Sequence, residues 1–204
     1  MWTAAILAGG RSRRLGGRNK AALSINGASV LERQLAQLGR VADRTIIIAN
    51  DAEPYGSYGV PVIPDMLPGH GALGGLYTAV SASPDDRTLV VACDMPFLSD
   101  ALLAFLIDAG GNADIVIPRT ARGYEPLCAT YARRTAGELK RLLDEQRYTL
   151  SEVARIPGMA IREVGEDELQ QFGPVDVLFF NVNTPDDYAR AIDIDAEYIK
   201  CGFR

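Results

Sequence analysis

The sequence predicts an α/β protein built on a mostly parallel sheet, and three observations lead there. Short apolar runs alternate with stretches of helical periodicity as far as Pro118. Two of these runs, Thr45-Ile46-Ile47-Ile48-Ala49 and Thr88-Leu89-Val90-Val91-Ala92-Cys93, are apolar on both faces, as central parallel strands are. The runs also empty at small or acidic residues, namely Gly9-Gly10, Asn50, Asp65 and Asp94, which places all four on the rim where such sheets bind ligands.

The first strand, Ala4-Ala5-Ile6-Leu7-Ala8, opens into a glycine-rich basic loop. Gly9, Gly10, Gly16 and Gly17 let the backbone turn and approach a ligand closely. Arg11, Arg13, Arg14, Arg18 and Lys20 place five cations within ten residues with no acid among them. Such charges repel one another unless an anion sits between them, so the loop reads as a polyphosphate cradle. Neither the Walker A pattern nor the dinucleotide fingerprint can be laid on it.

Ala21 to Ile25 is a short apolar piece ending in a turn at Asn26-Gly27. Ser29 is an N-cap with Glu32 as its capping-box partner, and Val30, Leu31, Leu35 and Leu38 follow at helical spacing until Gly39. The strand to Ala49 and a shorter one, Val60 to Ile63, come next. Gly69 to Gly75 reads as a second glycine-rich turn, leading into a helix from Leu76 to Ser81. The strand to Cys93 stops at Asp94-Met95-Pro96. Ser99 or Asp100 caps a helix through Ala109, and Asp114 to Ile117 is a strand broken at Pro118.

The second half predicts a strand returning from Tyr124 to Tyr131, a helix from Arg133 to about Glu145 and a shorter one near Ser151 to Ala154. A last strand is expected at Val177-Leu178-Phe179-Phe180, ending at Asn181-Val182-Asn183-Thr184-Pro185. Thr184 then caps a closing helix with Pro185 at its first position. No repeat or low-complexity linker divides the chain. One domain over 1–204 is expected, with an N-terminal lobe over about 1–118 and a C-terminal lobe over about 119–204.

Composition narrows the function. With 21 basic against 26 acidic side chains the net charge is −5, which argues against a nucleic-acid or membrane binder and sets the basic loop apart. Cys93, Cys128 and Cys201 are odd in number and widely spaced, so neither a disulfide framework nor a zinc cluster is expected, and a reducing cytoplasm suits them. No apolar run is long enough to span a membrane, and no signal peptide is expected before the first strand.

Asp94 follows a wholly apolar strand and precedes a proline. A carboxylate there needs partners, and Mg2+ carrying substrate phosphates is one; capping the next helix is the alternative. Asp65 has the same setting, with a simple turn as its rival. Asn181 and Asn183 can offer carbonyl oxygens to a metal or close a turn. His70, the only histidine, reads as a loop residue near the ligand, and Glu125 faces an acceptor substrate. No nucleophilic triad can be assembled. A cationic cradle with strand-end acids suits Mg2+-assisted attack on a nucleoside triphosphate, catalysed by positioning and charge.

The run Leu7-Ala8-Gly9-Gly10-Arg11-Ser12-Arg13-Arg14-Leu15-Gly16-Gly17, with Lys20 after it, resembles the signature of the molybdenum cofactor guanylyltransferase family. Pro64-Asp65, Gly74-Gly75, Cys93-Asp94-Met95-Pro96 and Asn181-Val182-Asn183-Thr184-Pro185 match further along, in the expected order. The resemblance implies a Rossmann-like, three-layer nucleotide-diphosphosugar transferase fold. It implies transfer of GMP from GTP to molybdopterin cofactor with Mg2+, releasing pyrophosphate, and transient contact with cofactor-insertion proteins or apoenzymes.

By the same resemblance Leu7, Ala8, Gly9 and Gly10 meet the guanosine, Lys20 and Arg14 hold the triphosphate, and Asn50 and Asp65 bind nucleotide. Asp94 is the metal ligand, and Asn181 and Asn183 sit near the metal and the acceptor phosphate. Two departures are Arg18-Asn19, where many members carry an acid, and His70, where a proline is common. Two other readings stay open. One is a transferase of this fold using CTP or another phosphorylated acceptor; the other is a non-catalytic module that binds nucleotide or cofactor.

Overall fold

The computed structural model describes residues 1–8 and 23–200. Strand β1 (Thr3–Leu7) is buried through Ala4, Ala5 and Ile6. After residue 22 the chain forms a hairpin of β2 (Ser24–Ile25) and β3 (Ala28–Ser29). Asn26 and Gly27 both take positive φ, 48° and 93°, the left-handed pair that two-residue hairpins favour.

Helix α1 (Val30–Val41) starts on the predicted capping box. The Glu32 N–H donates to Ser29 Oγ at 3.1 Å and the Ser29 N–H to Glu32 Oε2 at 2.6 Å, a device worth about 1 kcal/mol. The helix does not stop at Gly39. It runs to Val41, whose side chain packs against the core, and the Ala42 N–H closes it on the Leu38 carbonyl.

Strand β4 (Arg44–Ile48), a 3-10 turn at Glu53–Tyr58 and strand β5 (Val62–Ile63) follow. Helix α2 spans Gly71–Ala82, so most of the predicted glycine-rich turn is its first turn. Gly74 is needed there: a Cβ would stand 3.0 Å from His70 Cβ and 3.1 Å from the Leu67 carbonyl oxygen.

Strand β6 (Arg87–Ala92) leads to α3 (Asp100–Asp108), capped by Ser99 Oγ. Strand β7 (Ile115–Thr120) continues through Pro118, because its pairing to the neighbouring strand β9 (Cys128–Ala132) ends at Val116 and no donor is missed beyond it. The predicted strand from Tyr124 is interrupted: β8 (Gly123–Tyr124) folds back on β7, and β9 begins only at Cys128. Helix α4 (Thr135–Asp144) and a 3-10 turn at Leu150–Arg155 come next.

Strand β10 (Ile161–Val164) was not predicted. Two short helices follow, α5 (Glu166–Leu169) and α6 (Val175–Leu178). The predicted last strand at Val177–Phe180 is therefore corrected. Pro174 starts a helical turn, its carbonyl accepting the N–H groups of Val177 and Leu178 at 3.0 Å each. Leu178, Phe179 and Phe180 are apolar because they fill helix-side clusters, not because they pair in the sheet. Helix α7 (Pro185–Lys200) closes the described chain, with the Asp187 N–H on Thr184 Oγ1.

The sheet order is β10-β7-β9-β6-β1-β4-β5, with β8 on β7. Every pair on that path is parallel except the two made by β9. Alternation along the strands feeds two cores. Ala4, Ile6, Ile47, Leu89 and Val91 face Leu31 and Leu38 of α1 and the leucines of α3. Ala5, Ile46, Ile48 and Val90 face Leu73 and Leu76 of α2 and Leu139, Leu142 and Leu143 of α4. These are the three layers expected.

A third cluster joins Leu23, Ile25 and Val30 to Phe180, Val182 and Ala191. Beside it Arg33 and Asp195 pair in two-pronged fashion at 2.6 and 3.2 Å, Asn26 donates to the same carboxylate at 2.8 Å, and Arg33 also reaches the Ile25 carbonyl. Helix α7 thus fastens the hairpin that follows residue 22.

Candidate active site

The parallel strands β1, β4, β5 and β6 release their chains on one edge of the sheet. At the end of β1, the Leu7 carbonyl accepts the Cys93 N–H at 3.1 Å. The Ala8 N–H donates to the Ile48 carbonyl at 3.0 Å, and the buried Tyr55 hydroxyl donates to the Ala8 carbonyl at 3.1 Å. The backbone that leads to the basic loop is thereby held from both sides. Gly9, Gly10, Arg14 and Lys20 lie outside the described residues.

Asn50 and Asp65, fifteen residues apart, meet at this edge. The Asp65 N–H donates to Asn50 Oδ1 at 2.9 Å, and Asn50 Nδ2 reaches Asp65 Oδ2 at 3.5 Å. Asp65 Oδ1 is buried without a hydrogen bond. Burial pushes this carboxyl above the usual aspartate range, opposed by Thr78 and Asn50. The opposition from Thr78 is small, since its hydroxyl donates to the Gly74 carbonyl at 3.0 Å. His70 sits in the bend just before α2, as expected of a loop residue, and its ring meets Tyr148 edge-on with centroids 5.7 Å apart.

Asp94 occupies the turn after β6, and that turn is bound on all sides. Gln34, buried in α1, donates through Nε2 to the carbonyls of Ala92 at 2.7 Å and Met95 at 3.0 Å. The Ala92 N–H goes to the Leu127 carbonyl at 2.8 Å, and the Asp94 carbonyl accepts the Val182 N–H at 2.9 Å. That last bond brings the Asn181–Asn183 segment against the Asp94 turn. Asn181 Nδ2 donates to the Phe179 carbonyl at 3.2 Å, and the Asn183 N–H donates to Asp187 at 3.0 Å.

Next to them is a cavity of about 340 Å³ whose lining includes Arg122, Asn181, Asn183, Asp187 and Arg190. Arg122 donates to the Phe179 carbonyl at 2.8 Å and stands 3.8 Å from Glu125 Oε1. Burial raises the Glu125 carboxyl, while Arg122 and Thr120 pull it down. Glu125 thus adjoins the cavity through Arg122 without lining it.

Among the described residues no group of three or more His, Cys, Asp and Glu side chains converges on a metal site. The donors near the turn are the Asp94 carboxylate and the Asn181 and Asn183 carboxamides, with the Asp187 carboxylate engaged by the Asn183 and Thr184 N–H groups. Such a sparse set of hard oxygens fits Mg2+, which keeps waters and substrate phosphates as its remaining ligands.

Three contributors escaped the sequence reading. Gln34 carried a signal: it is a polar residue on the stripe of Val30, Leu31 and Leu38, where helical spacing calls for an apolar one. Tyr55 and Arg122 carried none, since their roles arise from contacts distant in the chain.

A mostly parallel sheet with acids and amides gathered at its carboxyl edge defines a nucleotide-handling α/β enzyme. Residues 4–158 match the family model described as the MobA-like NTP transferase domain, and the chain belongs to that family of nucleotidyltransferases. It is 32% identical over 192 residues to a molybdenum cofactor guanylyltransferase of Desulfosudis oleivorans, covering 93% of each chain. It is also 32% identical to a probable molybdenum cofactor guanylyltransferase of Pelotomaculum thermopropionicum, covering 93% of this chain and 91% of that one.

Among solved structures, molybdopterin-guanine dinucleotide biosynthesis protein A of Archaeoglobus fulgidus superposes with a TM-score of 0.81 at 29% identity, covering 96% of this chain and 99% of that one. A 4-diphosphocytidyl-2C-methyl-D-erythritol synthase of Anaerococcus prevotii, at 15% identity and a TM-score of 0.74 over 96% of both chains, shares the fold. Among the described residues no helix is long and apolar enough to cross a membrane.

Proposed function

We propose that the chain transfers GMP from GTP to the terminal phosphate of molybdopterin cofactor. An acceptor phosphate oxygen attacks the α-phosphorus of GTP, the bond to the β-phosphate breaks, and pyrophosphate leaves. The bond from the Val182 N–H to the Asp94 carbonyl supports this reading most directly. It sets the strand-end acid beside the Asn181–Asn183 segment, so metal-bound triphosphate and acceptor can meet at one place.

In this reading the backbone at Leu7, Ala8, Gly9 and Gly10 receives guanine and ribose, with Asn50 and Asp65 beside the nucleoside. Lys20 and Arg14 neutralise the phosphates. A cation ~4 Å from a phosphoryl oxygen contributes at most about 4 kcal/mol at an effective dielectric of ~20, before desolvation and screening. Asp94, with Asn181 and Asn183 nearby, would hold Mg2+, which supplies charge neutralisation on the phosphates. Asn181, Asn183 and, less directly, Glu125 serve the acceptor.

The nucleotide lobe covers about 1–118 and the acceptor lobe about 119–204, within one domain. The enzyme works in the cytoplasm and passes its product to insertion proteins or apoenzymes by transient contact. The test is pyrophosphate release with molybdopterin cofactor, Mg2+ and each of the four ribonucleoside triphosphates. GTP alone is expected to support turnover at low concentration. Equal turnover with CTP would remove guanine from the assignment, and binding without turnover would favour a carrier module.

A further inference from the structure

Gln34 is a poor choice for stability alone. Its side chain is buried, its amide nitrogen serves two carbonyls, and its Oε1 is left without a hydrogen bond. A buried acceptor with no partner is destabilising, whereas leucine or methionine would fill the same stripe of α1 without that defect.

What the amide does hold is specific. Its two acceptors, Ala92 and Met95, bracket Cys93 and Asp94 in the chain. The backbone bonds around them fasten the rest of the turn: Cys93 N–H to Leu7, Ala92 N–H to Leu127, and Val182 N–H to Asp94. Of these restraints only the Gln34 amide grips both ends of the turn from one rigid helix.

We infer that Gln34 is a positioning residue for Asp94, fixing the turn so that the carboxylate meets the divalent metal of the bound nucleotide in one orientation. This rests on the reading of Asp94 as the metal ligand. Groups that orient a ligand from behind typically change metal affinity by about 10–100-fold when removed. Gln34 acts through the backbone, so the low end, roughly tenfold, is expected.

The test is Mn2+ binding to the full chain in the presence of GTP, followed by the electron paramagnetic resonance signal of free Mn2+. Thermal melting reports the fold in parallel. Gln34→Met keeps the length and removes both donors, and it is expected to weaken Mn2+ binding roughly tenfold with melting little changed. Gln34→Glu keeps the shape and, when its buried carboxyl is protonated, one donor; it should fall between parent and methionine variant and serves if Gln34→Met does not fold.

Asp94→Asn alone and combined with Gln34→Met completes a double-mutant cycle. If Gln34 acts through Asp94, the double variant binds Mn2+ no more weakly than Asp94→Asn. Additive losses, or parental Mn2+ affinity in Gln34→Met, would overturn the inference. Unchanged affinity in Asp94→Asn would instead overturn the metal-ligand reading beneath it.

Discussion

Asn50 and Asp65 grip each other across the ends of two adjacent parallel strands, the Asp65 N–H donating to the Asn50 side-chain oxygen Oδ1 at 2.9 Å. The contact fixes the backbone of Asp65 while one of its carboxylate oxygens stays buried and unbonded. A buried acceptor without a partner costs stability.

The first prediction concerns that cost. Burial raises the Asp65 carboxyl above its ordinary value, so the folded protein binds this proton more tightly than the unfolded chain does. Ionising Asp65 therefore subtracts stability as pH rises through the raised value. Asp65→Asn should melt higher than the parent at neutral pH, with the gap closing as pH falls toward the unfolded value of about 3.9. The same variant should bind GTP roughly tenfold more weakly, as loss of one charged hydrogen bond implies. A variant that gains no stability at neutral pH, or binds GTP as the parent does, contradicts the corresponding half.

The second concerns Asp94. Asp94→Ala should reduce pyrophosphate release by roughly 100-fold or more, as loss of a metal-holding group does, while circular dichroism and melting report an intact fold. Full turnover would move the metal to other residues.

The third concerns the basic loop. Lys20→Ala should weaken GTP binding by about 1.5–3 kcal/mol, the range for a charge-assisted contact, as measured by calorimetry. Unchanged affinity would place the triphosphate away from Lys20.

The fourth concerns the buried pair that ties α1 to α7. The Arg33 and Asp195 side chains are only 14% and 3% exposed, so removing one partner strands the other. Asp195→Ala should cost about 3–5 kcal/mol in urea unfolding, and the double change Arg33→Met with Asp195→Leu should cost less. Equal losses in both would mean that the two charges are not coupled.

Much of this was readable from local signals. The Ser29–Glu32 box needs only four consecutive residues, and the strands ending at Asn50 and Asp94 announce themselves by apolar runs with abrupt polar stops. The rim residues Asn50, Asp65 and Asp94 followed from parallel topology alone. What failed depended on distance. Val177–Phe180 looks like a strand because it is apolar, yet Pro174 turns it into a helix packed between two clusters. Strand β10 was hidden because Arg162 and Glu163 interrupt its hydrophobicity at the edge of the sheet. Gln34 was visible as a misfit on its helix, but the turn it serves lies 58 residues away.

Strand β9 is the one reversed member of the path from β10 to β5, lodged between β6 and β7. Its direction presents a strand entrance beside its neighbours' exits, so the Leu127 carbonyl stands against Ala92 at the ligand edge. The Glu125-Pro126-Leu127 approach is therefore tied to the parallel strands at two points, the Leu127 carbonyl on the Ala92 N–H and the Glu125 N–H on the Pro118 carbonyl. A change in the run before β9 is thus transmitted directly to the exit of β6, where Asp94 sits.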